Sequence, residues 1–168
     1  MKYALLLKQD SQKLTCDQTK RICIMSGPKK KSWKGKSNSS KEPNPELKKV
    51  LLEKAGGNEL PCAVAFKISE DKHVSMDEIG MFADFMKIRL IKCQLGLFGY
   101  KPEKKIVKAI DMISKSLEEK IKSEAHDGKI SCKAAWQIAS DLDINKLEVG
   151  NACETMSIKI GPCQLGAF

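Results

Sequence analysis

The chain has 168 residues, with 30 Lys and Arg against 21 Asp and Glu, which give a formal net charge of +9. Its one apolar run near the N-terminus, Ala4 to Leu7, is too short for a secretory core or a membrane span, so we expect neither an exported nor a membrane-embedded protein. Seven cysteines without a signal peptide favour a reducing compartment, the cytoplasm, where thiols persist as thiols or as metal ligands.

The basic charge is concentrated in the N-terminal part of the chain. The first 41 residues hold 11 Lys and Arg against Asp10 and Asp17, whereas the remainder holds 19 basic and 19 acidic side chains. The stretch from Ser26 to Pro45 is rich in Ser, Lys, Gly and Pro and has almost nothing to bury. We therefore expect residues 1–45 to form a basic, flexible region.

This region supplies the candidate nucleic-acid-binding residues, because lysines neutralise phosphates and an aromatic ring can stack on bases. They are Lys29, Lys30, Lys31, Trp33, Lys34 and Lys36. The alternative is a solvated linker without a ligand. A natural start at Met25, which hydrophilic residues follow, would make residues 1–24 an extension.

The rest of the chain contains the same unit twice, without insertion or deletion. A shift of 70 residues lays Glu46–Phe98 over Ser116–Phe168, and each unit has 53 residues. The identical pairs include Gly80 with Gly150 and the string Cys-Gln-Leu-Gly-x-Phe, which closes both units. We therefore predict repeat 1 at residues 46–98, a connector or wing at 99–115 and repeat 2 at 116–168.

Each repeat begins with two predicted helices joined by a short extended piece. Asn44 and Ser114 are the expected caps of the first helix, and Pro45 opens it in repeat 1. Apolar residues at helical spacing follow in both copies: Leu47, Val50, Leu51 and Ala55, then Leu117, Ile121 and Ala125. Extended pieces at 59–61 and 129–131 then lead into the second helix, which Ser131 caps in repeat 2.

A third helix and a strand complete each repeat. Ser75 with Glu78, and Asn145 with Glu148, predict a capping box at the start of the third helix. The β-branched residues at 88–91 and 158–160 then suit strands. In repeat 1, a turn at 99–102 would carry the strand into a hairpin that returns through Ile106 and Val107.

The order helix, short strand, helix, turn, helix, strand resembles a winged helix-turn-helix unit, and the resemblance covers both copies. The expected fold class is mainly α with short β-strands, arranged as two tandem winged helix-turn-helix-like units. The resemblance implies DNA binding and transcription regulation. The exposed side of the third helix, however, carries Asp77, Asp84 and Lys87 in one copy and Lys146, Asn151 and Glu154 in the other, and phosphates repel its acidic residues. DNA contact would then depend on the basic tail, and a protein-interaction role stays open.

The repeated cysteines carry the clearest chemical signal. Cys62 and Cys132 stand at expected helix starts, where the helix dipole favours a thiolate, and Cys93 and Cys163 follow the last strands. Four thiols related by a repeat predict a metal site for zinc or an iron–sulfur cluster, although close Cys-x-x-Cys pairs are missing. The alternative is that small thiols fit a repeated core position.

Two further repeated residue types point to contacts. Gln94 and Gln164 follow the last cysteine of each copy and are not needed for packing, so they predict a ligand or partner surface, or an amide that satisfies backbone groups. Gly80 and Gly150 are unfavourable inside a helix and predict a close backbone contact between the copies.

The sequence gives no basis for an enzyme. His73 and His126 have no companion at ligand spacing, and neither a phosphate-binding glycine loop nor a nucleophile elbow is present. The expected function is a nucleic-acid-associated regulatory protein with a thiol or metal sensor. The alternative is a metal-binding or protein-interaction adaptor that does not bind DNA.

Overall fold

A computed structural model describes residues 44–168 of the chain, which are mainly helical with a few short strands, as expected. Repeat 1 contains α1 (Pro45–Lys54), β1 (Glu59–Pro61), α2 (Cys62–Lys72), α3 (Met76–Phe85) and β2 (Arg89–Ile91). Repeat 2 contains α4 (Lys115–Glu124), β3 (Lys129–Ile130), α5 (Cys132–Asp141), α6 (Lys146–Thr155) and β4 (Lys159–Ile160). Within residues 44–168, no helix combines the length and the apolarity needed to cross a membrane.

Most of the predicted helix caps are present. The side chains of Asn44, Ser114 and Ser131 each accept a hydrogen bond from a backbone N–H in the first turn of α1, α4 and α5. Ser75 and Glu78 form the predicted capping box at α3. The capping box at α6 is wrong, because Asn145 makes no side-chain cap bond and only its carbonyl accepts from the Glu148 N–H.

The strands form two separate parallel pairs. β1 lies beside β2, with Glu59 opposite Arg89, and β3 lies beside β4, with Lys129 opposite Lys159. The hairpin predicted to return through Ile106 and Val107 is absent from the described residues, since the connector from 99 to 114 contains neither helix nor strand. Instead, the backbone N–H of Ile106 donates to the carbonyl of Gly96 at 2.8 Å, which holds the connector against the preceding turn. The winged-helix interpretation of the repeats is therefore not confirmed.

Each hydrophobic core is completed by the other repeat. The core of repeat 1 contains Cys163 and Leu165, and the core of repeat 2 contains Cys93 and Leu95. Both leucines are buried, at 3% and 0% exposure. Burying one leucine side chain stabilises a fold by about 1.5–3 kcal/mol. The two repeats therefore share their cores through exchanged turns.

Glycines in the third helices make this exchange possible. A Cβ on Gly80 of α3 would lie 2.2 Å from the carbonyl oxygen of Leu165, and one on Gly150 of α6 would lie 2.3 Å from that of Leu95. Neither distance leaves room for a side chain. The predicted close contact between the copies is thus confirmed, and it joins each third helix to the final turn of the other repeat.

Equivalent aromatic residues also meet across the junction. Phe66 and Trp136, which are 70 positions apart, stack with ring centroids 3.5 Å apart and an interplanar angle of 16°. Phe98 and Phe168, again 70 positions apart, form an edge-to-face pair at 5.7 Å. Self-pairing of equivalent positions together with reciprocal contacts indicates an approximate two-fold relation between the repeats.

We predict that Gly80→Ala and Gly150→Ala each lower the free energy of unfolding by about 1–3 kcal/mol, because a methyl group must displace the opposing backbone. Denaturant-induced unfolding measures the change. Gly56→Ala is the matched control, because nothing lies within 4 Å of its added Cβ. Equal stability of these three single-substitution proteins would contradict the close approach.

Candidate thiol site between the repeats

The backbone brings the repeated cysteines together in pairs. Cys62 and Cys132 are the first residues of α2 and α5; Cys62 directly follows β1, and Ser131 alone separates Cys132 from β3. Cys93 and Cys163 begin the turns that follow β2 and β4. Because paired parallel strands end at the same edge, the helix-start cysteine and the turn cysteine of each repeat lie at the same end of their strand pair.

The final turn of each repeat folds its backbone around the cysteine that opens it. The N–H of Gly96 donates to the carbonyl of Cys93 at 2.9 Å, and the N–H of Gly166 donates to that of Cys163 at 3.1 Å. Both glycines have positive φ, 79° and 66°, which other residues rarely adopt. The N–H groups of residues 95–97 act to lower the pKa of Cys93, and those of residues 165–167 act to lower the pKa of Cys163. Such backbone concavities stabilise anions.

Repeat 2 brings its two thiols side by side, because the backbone N–H of Cys132 donates to the carbonyl of Pro162, the residue before Cys163, at 3.2 Å. Interaction with the Cys132 thiol is the main cause that lowers the pKa of Cys163 below the ordinary 9.0, with burial opposing it and the N–H groups of residues 165–167 adding to it. The same interaction, followed by burial, raises the pKa of Cys132. The arrangement therefore favours a Cys163 thiolate beside a protonated Cys132.

Repeat 1 has the same parts without the close pair. Burial raises the pKa of Cys62 to about 12, and charge on Cys93 and Cys163 adds to the rise. Burial also raises the pKa of Cys93, despite its own three N–H groups, and charge on Cys163 raises it further. The four thiols together thus favour one negative charge, on Cys163, rather than one negative charge in each repeat.

The expectation that the helix dipole makes Cys62 and Cys132 thiolates is wrong. Both lie at helix starts as predicted, but both are buried, at 4% exposure, and both pKa values are raised: by burial first at Cys62, and by the interaction with Cys163 and then burial at Cys132. The negative charge is favoured in the turn after β4 instead. That preference depends on backbone direction, which residue spacing does not reveal.

Gln94 and Gln164 face this site and are only half-buried. Their backbone N–H groups act to lower the pKa of Cys62 and Cys132 respectively, against the larger effects that raise both values. The side-chain amide of Gln164 also donates to the Cys132 sulfur, over 3.7 Å. This contact resembles the predicted use of the amide to satisfy a neighbouring group, with a thiol in place of the backbone.

Tyr100 makes the environment of the two turns unequal. Its hydroxyl donates to the carbonyl of Cys93 at 2.6 Å. Burial raises the pKa of this hydroxyl, and charge on Cys93 or Cys62 raises it further. The tyrosine therefore lies beside the cysteines of repeat 1 and stays protonated.

All four repeated cysteines are free and buried, as is Cys153. Within residues 44–168, no group of three or more His, Cys, Asp or Glu side chains is arranged to hold a metal ion. The zinc or iron–sulfur site at Cys62, Cys93, Cys132 and Cys163 stays a prediction, and this arrangement of the side chains does not favour it. The predicted nucleic-acid residues between Lys29 and Lys36 lie outside the described part of the chain.

The stacked pair Phe66 and Trp136 is a feature of the junction that sequence reasoning missed. Lys146 lies over the Trp136 ring, with Nζ 4.4 Å from its centroid, and its charge slightly favours a Cys62 thiolate. The signal was available, because positions 66 and 136 are both aromatic at the repeat offset without being identical.

Comparison of the chain with protein-family models, with curated proteins and with solved structures found no match.

We predict that the folded protein has one thiolate at neutral pH, seen by ultraviolet thiolate absorbance, and that Cys163→Ser removes it. Cys132→Ala raises the pKa of Cys163 by removing the thiol that interacts with it. Cys132→Ser is the matched control, because it keeps a hydroxyl at that position. Persistence of the thiolate signal in the Cys163→Ser protein would contradict the assignment.

The lowered pKa of Cys163 determines the direction in which pH changes the stability of the fold. The pKa of Cys163 is lowered from 9.0 to about 6, so the charged form is favoured by folding. Its contribution is present above pH 9 and is lost as the pH falls through about 6.

Proposed function

We propose that the protein is a regulatory protein whose sensing element is the thiol pair Cys132 and Cys163 at the junction of its two repeats, and that it associates with nucleic acid through its basic N-terminal region. The observation that supports the sensing role is that Cys132 and Cys163 are both free and buried, with the Cys132 N–H bonded to the carbonyl of the residue before Cys163, and that their interaction favours a thiolate at Cys163. A stabilised thiolate beside a second thiol is the arrangement that reacts with oxidants.

The sensing step we propose is oxidation by hydrogen peroxide. The Cys163 thiolate attacks one oxygen of the peroxide and the O–O bond breaks, which leaves a sulfenic acid on Cys163 and releases hydroxide; the hydroxide takes a proton from solvent and becomes water. The Cys132 sulfur then attacks the sulfenic sulfur, forming a disulfide and releasing a second water. The two thiols lose two electrons, and the peroxide gains them.

Oxidation would act on the whole junction. Cys163 opens the turn whose Leu165 carbonyl lies against Gly80, and both Cys163 and Leu165 belong to the core of repeat 1. A disulfide to Cys132 removes the negative charge on Cys163, which the N–H groups of the turn favour. A change there would alter the packing of α3, the third helix of repeat 1.

The helix-turn-helix-like interpretation of each repeat belongs to this proposal. The order of three helices with a strand after the first and the third supports it. The parallel strand pairing and the unstructured connector do not resemble a wing hairpin. We propose the cytoplasm as the compartment, because free thiols persist under reducing conditions.

The alternative is an adaptor that binds metal through the repeated thiols and does not bind DNA. Four free cysteines, contributed equally by the two repeats, support it. A soft metal would have to draw the four sulfurs closer together than the described arrangement does. Elemental analysis and absorption spectroscopy of protein purified without oxygen separate the two proposals, since stoichiometric metal lost on replacing Cys93 and Cys163 with Ser would favour the adaptor.

We expect stoichiometric hydrogen peroxide to join Cys132 to Cys163, as measured by peptide mapping with mass spectrometry. Cys163→Ser should abolish the disulfide, and Cys132→Ser should leave a sulfenic acid on Cys163 that a trapping reagent labels. Cys153→Ala is the control, because burial raises the pKa of Cys153 to about 11 and this thiol has no thiol partner in the described residues. Resistance of all four repeated thiols in folded protein would contradict the sensing role.

The nucleic-acid role predicts that deletion of residues 1–41 abolishes affinity for duplex and single-stranded DNA of any sequence. The described part of the chain cannot replace those lysines, because its acidic and basic residues nearly balance. Affinity of the full chain should also fall steeply with salt, as expected for phosphate contacts. Binding that survives the deletion would move the interface to the repeats.

A further inference from the structure

The connector covers one face of α6 with a short extended segment, residues 105–110. The Lys105 ammonium pairs with the Glu154 carboxylate at 2.6 Å. The N–H of Lys108 donates to Oδ1 of Asn151, and the N–H of Ile110 donates to Oγ1 of Thr155, both at 2.9 Å.

A buried valine fixes this segment in place. Val107 is 6% exposed, and its Cγ1 lies 3.1 Å from where a Cβ on Gly150 would stand and 3.0 Å from where one on Gly96 would stand. The two glycines therefore create the groove that accepts the valine. α6 therefore contacts three features of the segment: a lysine, a valine two residues later, and the backbone N–H groups beyond the valine.

Repeat 1 has the equivalent face on α3, at Gly80, Met81, Asp84 and Phe85. Asp84 corresponds to Glu154, so the negative charge is kept at the position that pairs with Lys105. Met81 and Phe85 replace Asn151 and Thr155, and Phe85 is 64% exposed. Among residues 44–168, Asp84 forms no ion pair or side-chain hydrogen bond. The face thus keeps the charge and the glycine but presents apolar side chains where α6 binds backbone.

We propose that this face of α3 is a docking site for an extended peptide segment of a partner protein. The segment would carry a basic residue opposite Asp84, a β-branched residue two positions later near Gly80, and aliphatic residues over Met81 and Phe85. The approximate two-fold relation of the repeats supplies the geometry, since the same contacts are already made on α6 by residues 105–110. The preserved acidic residue supplies the charge complementarity.

The substitutions on α3 also decide what the partner must contribute. Where the connector's own backbone bonds to Asn151 and Thr155, the partner would bury aliphatic side chains against Met81 and Phe85. An exposed phenylalanine beside a free carboxylate is the composition of an interface with an apolar centre and a charged rim. The path of the connector's backbone over α6 therefore serves as the guide for the path of the partner's backbone over α3. At the position that corresponds to Lys108, the partner would carry a leucine.

The probe is a fluorescent peptide of sequence EKKIVLAI, which is residues 103–110 with that one change. Fluorescence anisotropy with the full chain measures its affinity. We expect saturable binding that Phe85→Ala weakens about tenfold, because a central aromatic residue dominates small interfaces. Asp84→Lys should weaken binding at least about threefold, and the peptide with Lys105→Glu should bind the Asp84→Lys protein better than it binds the unchanged chain.

Glu70→Lys is the matched control, because it makes the same charge change on an exposed position of α2 and should leave affinity unchanged. Phe85 and Asp84 are exposed, so their replacement leaves the core intact. Absence of saturable binding, or binding that neither substitution changes, would overturn the proposal. Self-association of the full chain that Phe85→Ala abolishes would also overturn it, because the face would then accept a second copy.

Discussion

The fold depends on a reciprocal contact, in which the final turn of each repeat packs against the third helix of the other repeat. The final turn of each repeat places its leucine carbonyl where a side chain on the opposing third helix would stand, and glycine at 80 and 150 is what permits it. The same turns deliver Leu95 and Leu165 into the opposite cores. A unit of 53 residues can bury only a modest share of its apolar surface, and the exchange lets two such units share one larger interior.

The chemistry at the junction follows from this exchange. A turn that must curl tightly around its first residue gathers backbone N–H groups, and with cysteine in that position the N–H groups favour a thiolate. Interaction with the Cys132 thiol lowers the pKa of Cys163, whereas burial raises the pKa of Cys93, whose carbonyl accepts from Tyr100. A duplicated sequence has thus produced two unequal sites. Because the turn is part of both the core and the thiol site, a chemical change at Cys163 acts directly on the contact between the repeats.

Much of this architecture could be predicted from the duplication, because two copies test each other. Helical spacing and capping residues predicted the helices from α1 to α6 in the described residues. The glycines inside the third helices predicted a contact between the copies. The wing hairpin failed, because Ile106 and Val107 are held by the turn at Gly96 and by α6 in place of a strand partner. The assignment of the thiolate failed for a related reason: burial and N–H direction depend on tertiary packing, which spacing along the chain does not encode.

Hydrogen exchange measured residue by residue under native conditions tests the exchanged cores most directly, using the pair Leu165→Ala and Leu95→Ala. Each change removes a buried leucine, at a cost of about 2–5 kcal/mol. The account predicts a crossed pattern, in which Leu165→Ala accelerates exchange first in α1–α3 and Leu95→Ala first in α4–α6. Acceleration confined to the repeat that carries the substitution would contradict it.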